Sequence, residues 1–396
     1  MPTEVCVLTS VHQPFDVRIF HRECRSLVQA GYRVTLIAPA EFEPQEKDGI
    51  NVIGVKPASS RWKRPLIWWR LFRHVFRLRP QVVHFHDPEL LFLVPLLRLA
   101  LGRRTKIVYD VHEYFLDSLD SKFWIPVRLR PLVRFIAKWL ERLLIRGIDG
   151  IVLVIDGQLP LYADFSGPVA IVRNLPFAGL FEDPQPHPAL DVDGFRLIYV
   201  GLIMPERAIG VLLEALHLLR QQRIENVHLF LIGPDTSPAY TREIERYAQS
   251  HKLADQVRLL GYVPHDQLKH YLANANVGLL PGLPTRQFRN WNIATKLLEY
   301  MLCELPILGV AHDHHRVFVE EADCGLLVPF EDPAAHAEAI LWLRDHPEQA
   351  RAMGQRGRAL VLERYTWEME QTQLIEFYQE LLEEPGSTAP EQVQAP

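Results

Sequence analysis

Residues 295–308, TKLLEYMLCELPIL, set a hydroxyl, a cation and a carboxylate at helical spacing. Glu299 lies three residues after Lys296 and four after Thr295, which puts the three side chains on one helical face. The free N–H groups and the dipole of a helix start favour phosphate. A carboxylate one turn further in could hold a ribose diol while phosphate sits at the helix start. The same spacing also describes a surface helix decorated with an internal Lys–Glu pair, and spacing leaves both readings open.

Other polar residues gather where strands are expected to end. Ser10, His12, Gln13, Asp16 and Arg18 follow VCVLTS. HFHDPE supplies His84, His86, Asp87 and Glu89, and YDVHEY supplies Asp110, His112, Glu113 and Tyr114. His112, between two carboxylates, could be a ligand, a base, a donor to a sugar hydroxyl, or a structural histidine. His84 and His86 alternate along a strand and so point the same way. With Asp87 they could ligate a metal, but no further spaced cluster supports a site, and no metal is expected. HDHH (312–315) reads as a loop, and DVD (191–193) as a solvated acidic pair. Arg207 follows the VG strand end, where a guanidinium could neutralise a diphosphate or simply pair with Glu206. Gly201 and Gly233 read as turn glycines. There is no GxGxxG, Walker or GxSxG pattern, so dehydrogenase, P-loop and hydrolase-triad readings are weak.

The elements that must carry these residues alternate strand and helix. Strands are expected at 5–10, 33–39, 51–55, 81–86, 106–112 and 149–155, with helices at 18–30, 88–100 and 126–146. Residues 174–194 hold four prolines and read as a linker. The pattern then restarts with strands at 196–201, 227–233, 257–263, 275–281, 307–310 and 324–330. Helices are expected at 208–223, 238–252, 265–273, 333–344 and 366–384. This organisation predicts an α/β protein of two tandem parallel-sheet domains, 1–175 and 195–365, facing each other across a cleft, with ligands beyond the strand carboxyl ends. Residues 385–396 read as a disordered tail.

Composition agrees with two globular cores: 396 residues, 48% hydrophobic and 23% charged. Four dispersed cysteines without a CxxC pair fit a reducing compartment. The first residues run straight into a strand pattern, so no signal peptide is expected, and no run of eighteen apolar residues predicts a span. The net charge of −5 hides a division: residues 1–150 hold 24 Lys/Arg against 15 Asp/Glu, and the remainder 19 against 33. Two segments account for much of it. Residues 61–79 carry seven Lys/Arg among Trp62, Trp68, Trp69, Phe72 and Phe76, and residues 122–146 carry seven more with Glu141 as the one acid. Such basic, aromatic helices suit an anionic bilayer surface; core packing of the aromatics and nucleic-acid binding are the competing readings, the latter disfavoured by two α/β domains with a cleft.

Taken in order, DVRIFHRECRSLVQAGYRVTLIAP (16–39), HFHDPELL (84–91), VYDVHEYF (108–115), YVGLIMPERAIGVLLEAL (199–216), LIGP (231–234), TKLLEYMLCELPIL (295–308), CGLLVPFEDP (324–333) and YTWE (365–368) resemble the retaining glycosyltransferases of family 4. The resemblance covers nearly the whole chain, and its first three pieces are similar to a bacterial branch of capsule, O-antigen and exopolysaccharide assembly. It implies the GT-B fold: two Rossmann-like domains with a final helix crossing back to the first. It further implies that Glu299 is the second glutamate of an E-x7-E motif and binds the nucleotide ribose. Arg207 stands where the family holds the donor diphosphate with a lysine, and Lys296 reaches the same phosphate. Gly201, Gly233, Thr295 and Leu297 complete the expected donor contacts. His112 matches a histidine near the reaction centre. His12, Asp16, Arg18, His86, Asp87 and Glu113 are expected around the acceptor or phosphate loop. Two positions depart from the pattern: Trp291 replaces the first glutamate, and Leu202 replaces an arginine.

The resemblance implies transfer of a sugar from a UDP- or GDP-type nucleotide-sugar donor to a saccharide acceptor, lipid-linked by expectation, without a metal cofactor. The chain would work at the inner face of the cytoplasmic membrane, bound peripherally through 61–79 and 122–146 and not binding nucleic acid. The two departures keep a non-catalytic partner subunit as an alternative, and a sugar-nucleotide epimerase of the same fold as another.

Overall fold

The computed structural model describes residues 2–58, 60–111, 126–284 and 294–383. The chain divides into two units, Met1–Arg173 with Glu370–Pro396, and Asn174–Met369.

The first unit holds a sheet of order β3-β4-β2-β1-β5-β6-β7-β8. Its strands are β1 (Glu4–Leu8), β2 (Arg33–Pro39), β3 (Gln45–Lys47), β4 (Ile50–Val55), β5 (Val82–Phe85), β6 (Lys106–Val111), β7 (Gly150–Leu153) and β8 (Val169–Ile171). All neighbours are parallel except β3, which pairs antiparallel with β4 at the edge. The sequence pattern missed β3 and β8. Both are three residues long, and the side chains of β3 are exposed, so neither carries a hydrophobic period. The helix expected at 18–30 starts with wide turns: the amides of both Phe20 and His21 reach the Asp16 carbonyl, and regular helix follows only from Arg25 to Gln29.

The second unit holds an all-parallel sheet of order β11-β10-β9-β12-β13-β14. Its strands are β9 (Phe195–Val200), β10 (Val227–Ile232), β11 (Val257–Gly261), β12 (Val277–Leu280), β13 (Ile307–Val310) and β14 (Gly325–Val328). Side chains alternate between two cores: Leu197, Tyr199, Leu229 and Leu231 enter one, and Ile198, Phe230 and Ile232 the other. That two-sided burial is why these strands read as continuous apolar runs.

Three expectations are corrected. The linker at 176–194 is packed structure: Phe181 and Leu190 are buried in the second unit's core, and short turns form at Ala178–Phe181 and Pro188–Leu190. Its prolines shape turns rather than a tether. HDHH is not a loop but the start of a helix at Asp313–Ala322, with the His312 ring accepting from the His314 amide. A helix at Pro347–Arg364, with little amphipathic contrast to reveal it, lies between the expected last two. The final helix runs Trp367–Leu382, and from Glu370 it belongs to the first unit.

The Pro347–Arg364 helix approaches its neighbour at Gly354, where an added Cβ would run into the Glu304 carbonyl oxygen. Backbone cannot yield as a side-chain tip does. Gly354→Ala should therefore destabilise the second unit by about 1–3 kcal/mol despite alanine's better helix propensity, read as a lower urea midpoint.

Candidate functional site

In the first unit, the loops after β1 and β5 are tied together by Asp87. Its Oδ2 accepts from Thr9 Oγ1 at 2.9 Å and the Ser10 amide at 2.6 Å, and Ser10 Oγ donates to Glu89 Oε1 at 2.7 Å. His12 stands between Asp16 at 3.6 Å and Asp87 at 3.7 Å. Asp16 caps the next helix by accepting from the amides of Arg18 and Ile19. Burial alone would raise the Asp16 pKa, but the nearby His12 ring and the two amides outweigh it and hold the carboxyl at about 2.

Arg18 and His86 do not line the surface of this loop, contrary to the sequence expectation. Both are buried beneath it. Arg18 donates from Nη2 to Asp110 Oδ2 at 2.9 Å and from Nη1 to the Val172 carbonyl at 2.9 Å, and its Nε lies 2.7 Å from Glu23 Oε1. His86 Nε2 is 3.4 Å from Glu23 Oε2, and its ring stacks on His84 at 4.8 Å. His84 Nδ1 meets the Tyr378 hydroxyl at 2.7 Å. The alternation that aims His84 and His86 the same way is thus real, but their companions are Glu23 and Asp110, not Asp87. Spacing could not show this, because 24 residues or more separate Asp110 and Glu23 from the histidines.

Ligand atoms of Glu23, His84, His86 and Asp110 lie within 4.8 Å of one another, a spacing a metal could use. Charge decides how the cluster is balanced. Arg18 already places one positive charge against two carboxylates, so a single proton closes the account, whereas a divalent ion would leave a buried excess of positive charge. The Glu23 carboxyl is the proton's seat: burial raises its pKa most, Arg18 opposes, and the Asp110 charge and hydrogen bond reinforce the rise.

In the second unit, the residues singled out by sequence come together at the carboxyl ends of β9 and β10. Gly201 and Gly233 both have positive φ, 144° and 149°. A Cβ on Gly233 would strike the Gly201 carbonyl, and one on Gly201 would lie 2.6 Å from Lys296 Nζ. These are close-approach glycines, not ordinary turns. Lys296 lies in the first turn of the Thr295–Leu302 helix and sets its ammonium 4.4 Å from the Tyr199 ring centroid. Burial lowers its pKa most and the nearby Arg207 charge lowers it further, against Glu299, to about 7. Two cations thus converge on one strand end.

Glu299, nearly buried, is held by His265: Nε2 to Oε1 is 2.7 Å. No Lys296–Glu299 ion pair forms among the described residues, which removes the reading of this helix as decorated surface. Two expected contacts change. Leu297 is fully buried in the core, and its amide donates to the Ala294 carbonyl. Thr295 Oγ1 donates to the Asn174 carbonyl at 3.3 Å instead of capping the helix. Sequence reasoning missed Tyr199 and His265; the latter follows β11 in GYVPHDQ, so a search beyond every strand end would have found it. His112, Glu113 and Trp291 lie outside the described residues.

The basic segments differ from each other. In the Arg64–Leu78 helix, Phe72 packs in the core, Trp68 donates to Glu89 and Trp69 is half-exposed, while Trp62, in the Arg61–Lys63 turn before it, is 94% exposed. The Arg130–Leu144 helix buries no residue at all, with Phe135 70% and Trp139 61% exposed and Leu132 and Ile136 beside them. Leu99, on the neighbouring Val94–Leu101 helix, is 86% exposed. No helix of the described residues is long and apolar enough to cross a membrane.

The Glu23 proton has a measurable consequence. A carboxyl pKa raised in the folded state contributes stability below its ordinary value of 4.5, and that stability is lost as pH rises through the folded value. Glu23→Gln mimics the protonated form, so in urea unfolding at about pH 5 and about pH 8 its stability relative to wild type should improve at the higher pH. Glu23→Ala leaves Arg18 paired with Asp110 but removes the buried group beside its Nε, and should cost about 1–3 kcal/mol.

Comparison with known proteins follows the two halves. A model described as "Glycosyl transferase 4-like domain" matches residues 17–176, and one described as "Glycosyl transferases group 1" matches residues 182–360. The amylovoran biosynthesis glycosyltransferase AmsK of Erwinia amylovora is 28% identical over 148 residues, 37% of this chain and 35% of that protein. The chain thus aligns with about a third of that relative's length. Among solved structures, sucrose-phosphate synthase from Thermosynechococcus elongatus superposes with a TM-score of 0.72 at 19% identity, covering 96% of this chain and 99% of the other. Anabaena Alr3699/HepE in complex with UDP-glucose gives 0.67 at 13% identity, covering 95% and 99%. The two parallel-sheet, Rossmann-like units are those of the GT-B fold, and the chain belongs to the family-4 glycosyltransferases, the 4-like domain lying in its first half and the group 1 domain in its second.

Proposed function

We propose that the chain transfers a sugar from a nucleotide-diphosphate donor to a hydroxyl of a growing surface polysaccharide, with retention of anomeric configuration. The observation that carries this reading is the convergence of Lys296 and Arg207 on the Gly201–Gly233 strand ends, with Glu299 one helical turn away. In this reading the bond between the anomeric carbon and the diphosphate oxygen breaks, and a bond from the acceptor oxygen forms on the same face. The acceptor proton leaves with the departing diphosphate. Negative charge grows on that leaving group, and two cations fixed beside bare glycine backbone stabilise it without reorganising. They supply the charge a divalent ion would otherwise bring, so no metal is proposed to take part. Glu299 would accept from the ribose diol. A UDP-glucose complex of a structural neighbour and the polysaccharide named for a sequence relative support the donor class and the acceptor class respectively.

We further propose that the first unit docks on an anionic bilayer at the cytoplasmic face, where a lipid-linked acceptor would be met. The support is charge complementarity together with the apolar face of the Arg130–Leu144 helix. Phe135, Trp139, Leu132 and Ile136 would enter the headgroup boundary while the arginines meet phosphates.

Titration of the purified chain with UDP and GDP tests the donor site. One of them should bind, and Glu299→Ala should weaken it about tenfold or more. A bound diphosphate stabilises the Lys296 ammonium, so binding takes up a proton and affinity should fall as pH rises above about 7. Lys296→Met should bind weakly without that dependence. Arg207, Glu299, Tyr199 and His315 are the other titratable groups near the amine. Donor hydrolysis, measured alongside, separates an enzyme from a nucleotide-binding partner subunit. For the membrane, co-sedimentation with phosphatidylglycerol vesicles at low salt should exceed that with phosphatidylcholine and should fall about tenfold in a Phe135→Ser, Trp139→Ser double variant. Equal binding to both vesicle types would sink the docking idea.

A further inference from the structure

We propose that His265 is a positioning residue for the donor ribose: it fixes one oxygen of Glu299 so that the other is presented to the diol. The proposal rests on the reading above that Glu299 meets the ribose. A carboxylate only accepts, so the proton of the 2.7 Å bond sits on His265 Nε2 and the carboxylate oxygen engaged is Oε1. Oε2 has no partner among the described residues. Glu299 is 5% exposed and Oε2 is not one of the fully enclosed unpaired oxygens, so this oxygen is the one left open for a diol to reach.

Three further observations make the histidine the holder. The nearest cation in sequence, Lys296, turns its ammonium to the Tyr199 ring and makes no ion pair with Glu299. The His265 ring is itself locked, edge-on against buried Phe181 with centroids 5.9 Å apart at 81°. It also opens the His265–Gln267 turn that follows β11, so a rigid strand end sets its position. Glu299 Oε1 and His265 therefore form a built pair between two elements, and a carboxylate without it would rotate among rotamers and lose aim.

The test is calorimetric titration of the full chain with UDP and 2′,3′-dideoxy-UDP, and with the guanosine pair. Wild type should prefer the diol-bearing nucleotide by about tenfold or more. His265→Ala should bind both forms alike, at the wild-type affinity for the dideoxy form, a selective loss that general unfolding would not produce. His265→Phe keeps the ring packed on Phe181 without the donor and should behave the same. His265→Gln, whose amide can donate, should retain most of the preference. If the alanine or phenylalanine variant keeps the full preference, the positioning role is overturned. If wild type prefers the diol but Glu299→Ala does so equally, the ribose contact lies elsewhere and the proposal falls with it. If wild type binds neither nucleotide, the donor-site reading itself fails.

Discussion

Two-sided burial of parallel strands governs this molecule. Each sheet is covered on both faces, so strand interiors admit almost nothing but apolar side chains. Free backbone groups and polar residues are driven to the carboxyl ends, where strands stop and helices start. In the second unit that constraint gathers Gly201, Gly233, Arg207, Lys296, Glu299 and His265 from four separate segments. None of these needs to be near another in sequence. The register of β9 against β10 alone brings Gly201 beside Gly233, since Val200 pairs with Ile232.

The first unit carries the exception. Arg18, Glu23, His84, His86 and Asp110 form a charged cluster inside the fold, closed from the C-terminal helix by Tyr378. Five ionisable groups out of water are tolerable only because guanidinium, carboxylates and one proton nearly cancel. The cluster adjoins the two loops that carry His12, Asp16 and Asp87, since Arg18 follows Asp16 and His86 precedes Asp87 in the chain. Residue type invited a functional reading of Arg18 and His86; burial assigns them to structure.

The two basic helices show how similar composition can have different outcomes. Both interleave arginine with aromatics. The Arg64–Leu78 helix buries Ile67, Leu71, Phe72 and Val75, whereas the Arg130–Leu144 helix leaves its apolar stripe outside. A hydrophobic period says that a face exists, not what covers it.

Much of the architecture was legible in the chain itself. Apolar runs of four to seven residues punctuated by glycine and proline set out twelve of the strands, because strand interiors must be apolar wherever the sheet is buried on both faces. The two three-residue strands escaped because they carry no such period. The packed segment at 176–194 escaped because proline-rich composition marks turns whether or not they are buried. For the candidate site, Lys296, Arg207 and Glu299 were legible as charges next to strand and helix ends. The direction each one points was not. That Lys296 faces Tyr199, that Glu299 faces His265, and that Leu297 turns into the core depend on which side of a helix meets the sheet. Sequence alone determined the parallel α/β organisation and the residues available for chemistry, because both follow from local patterns of polarity. Only the tertiary structure decided which of those residues are partners, because hydrogen bonds and charge balance act between segments that the chain holds dozens of residues apart.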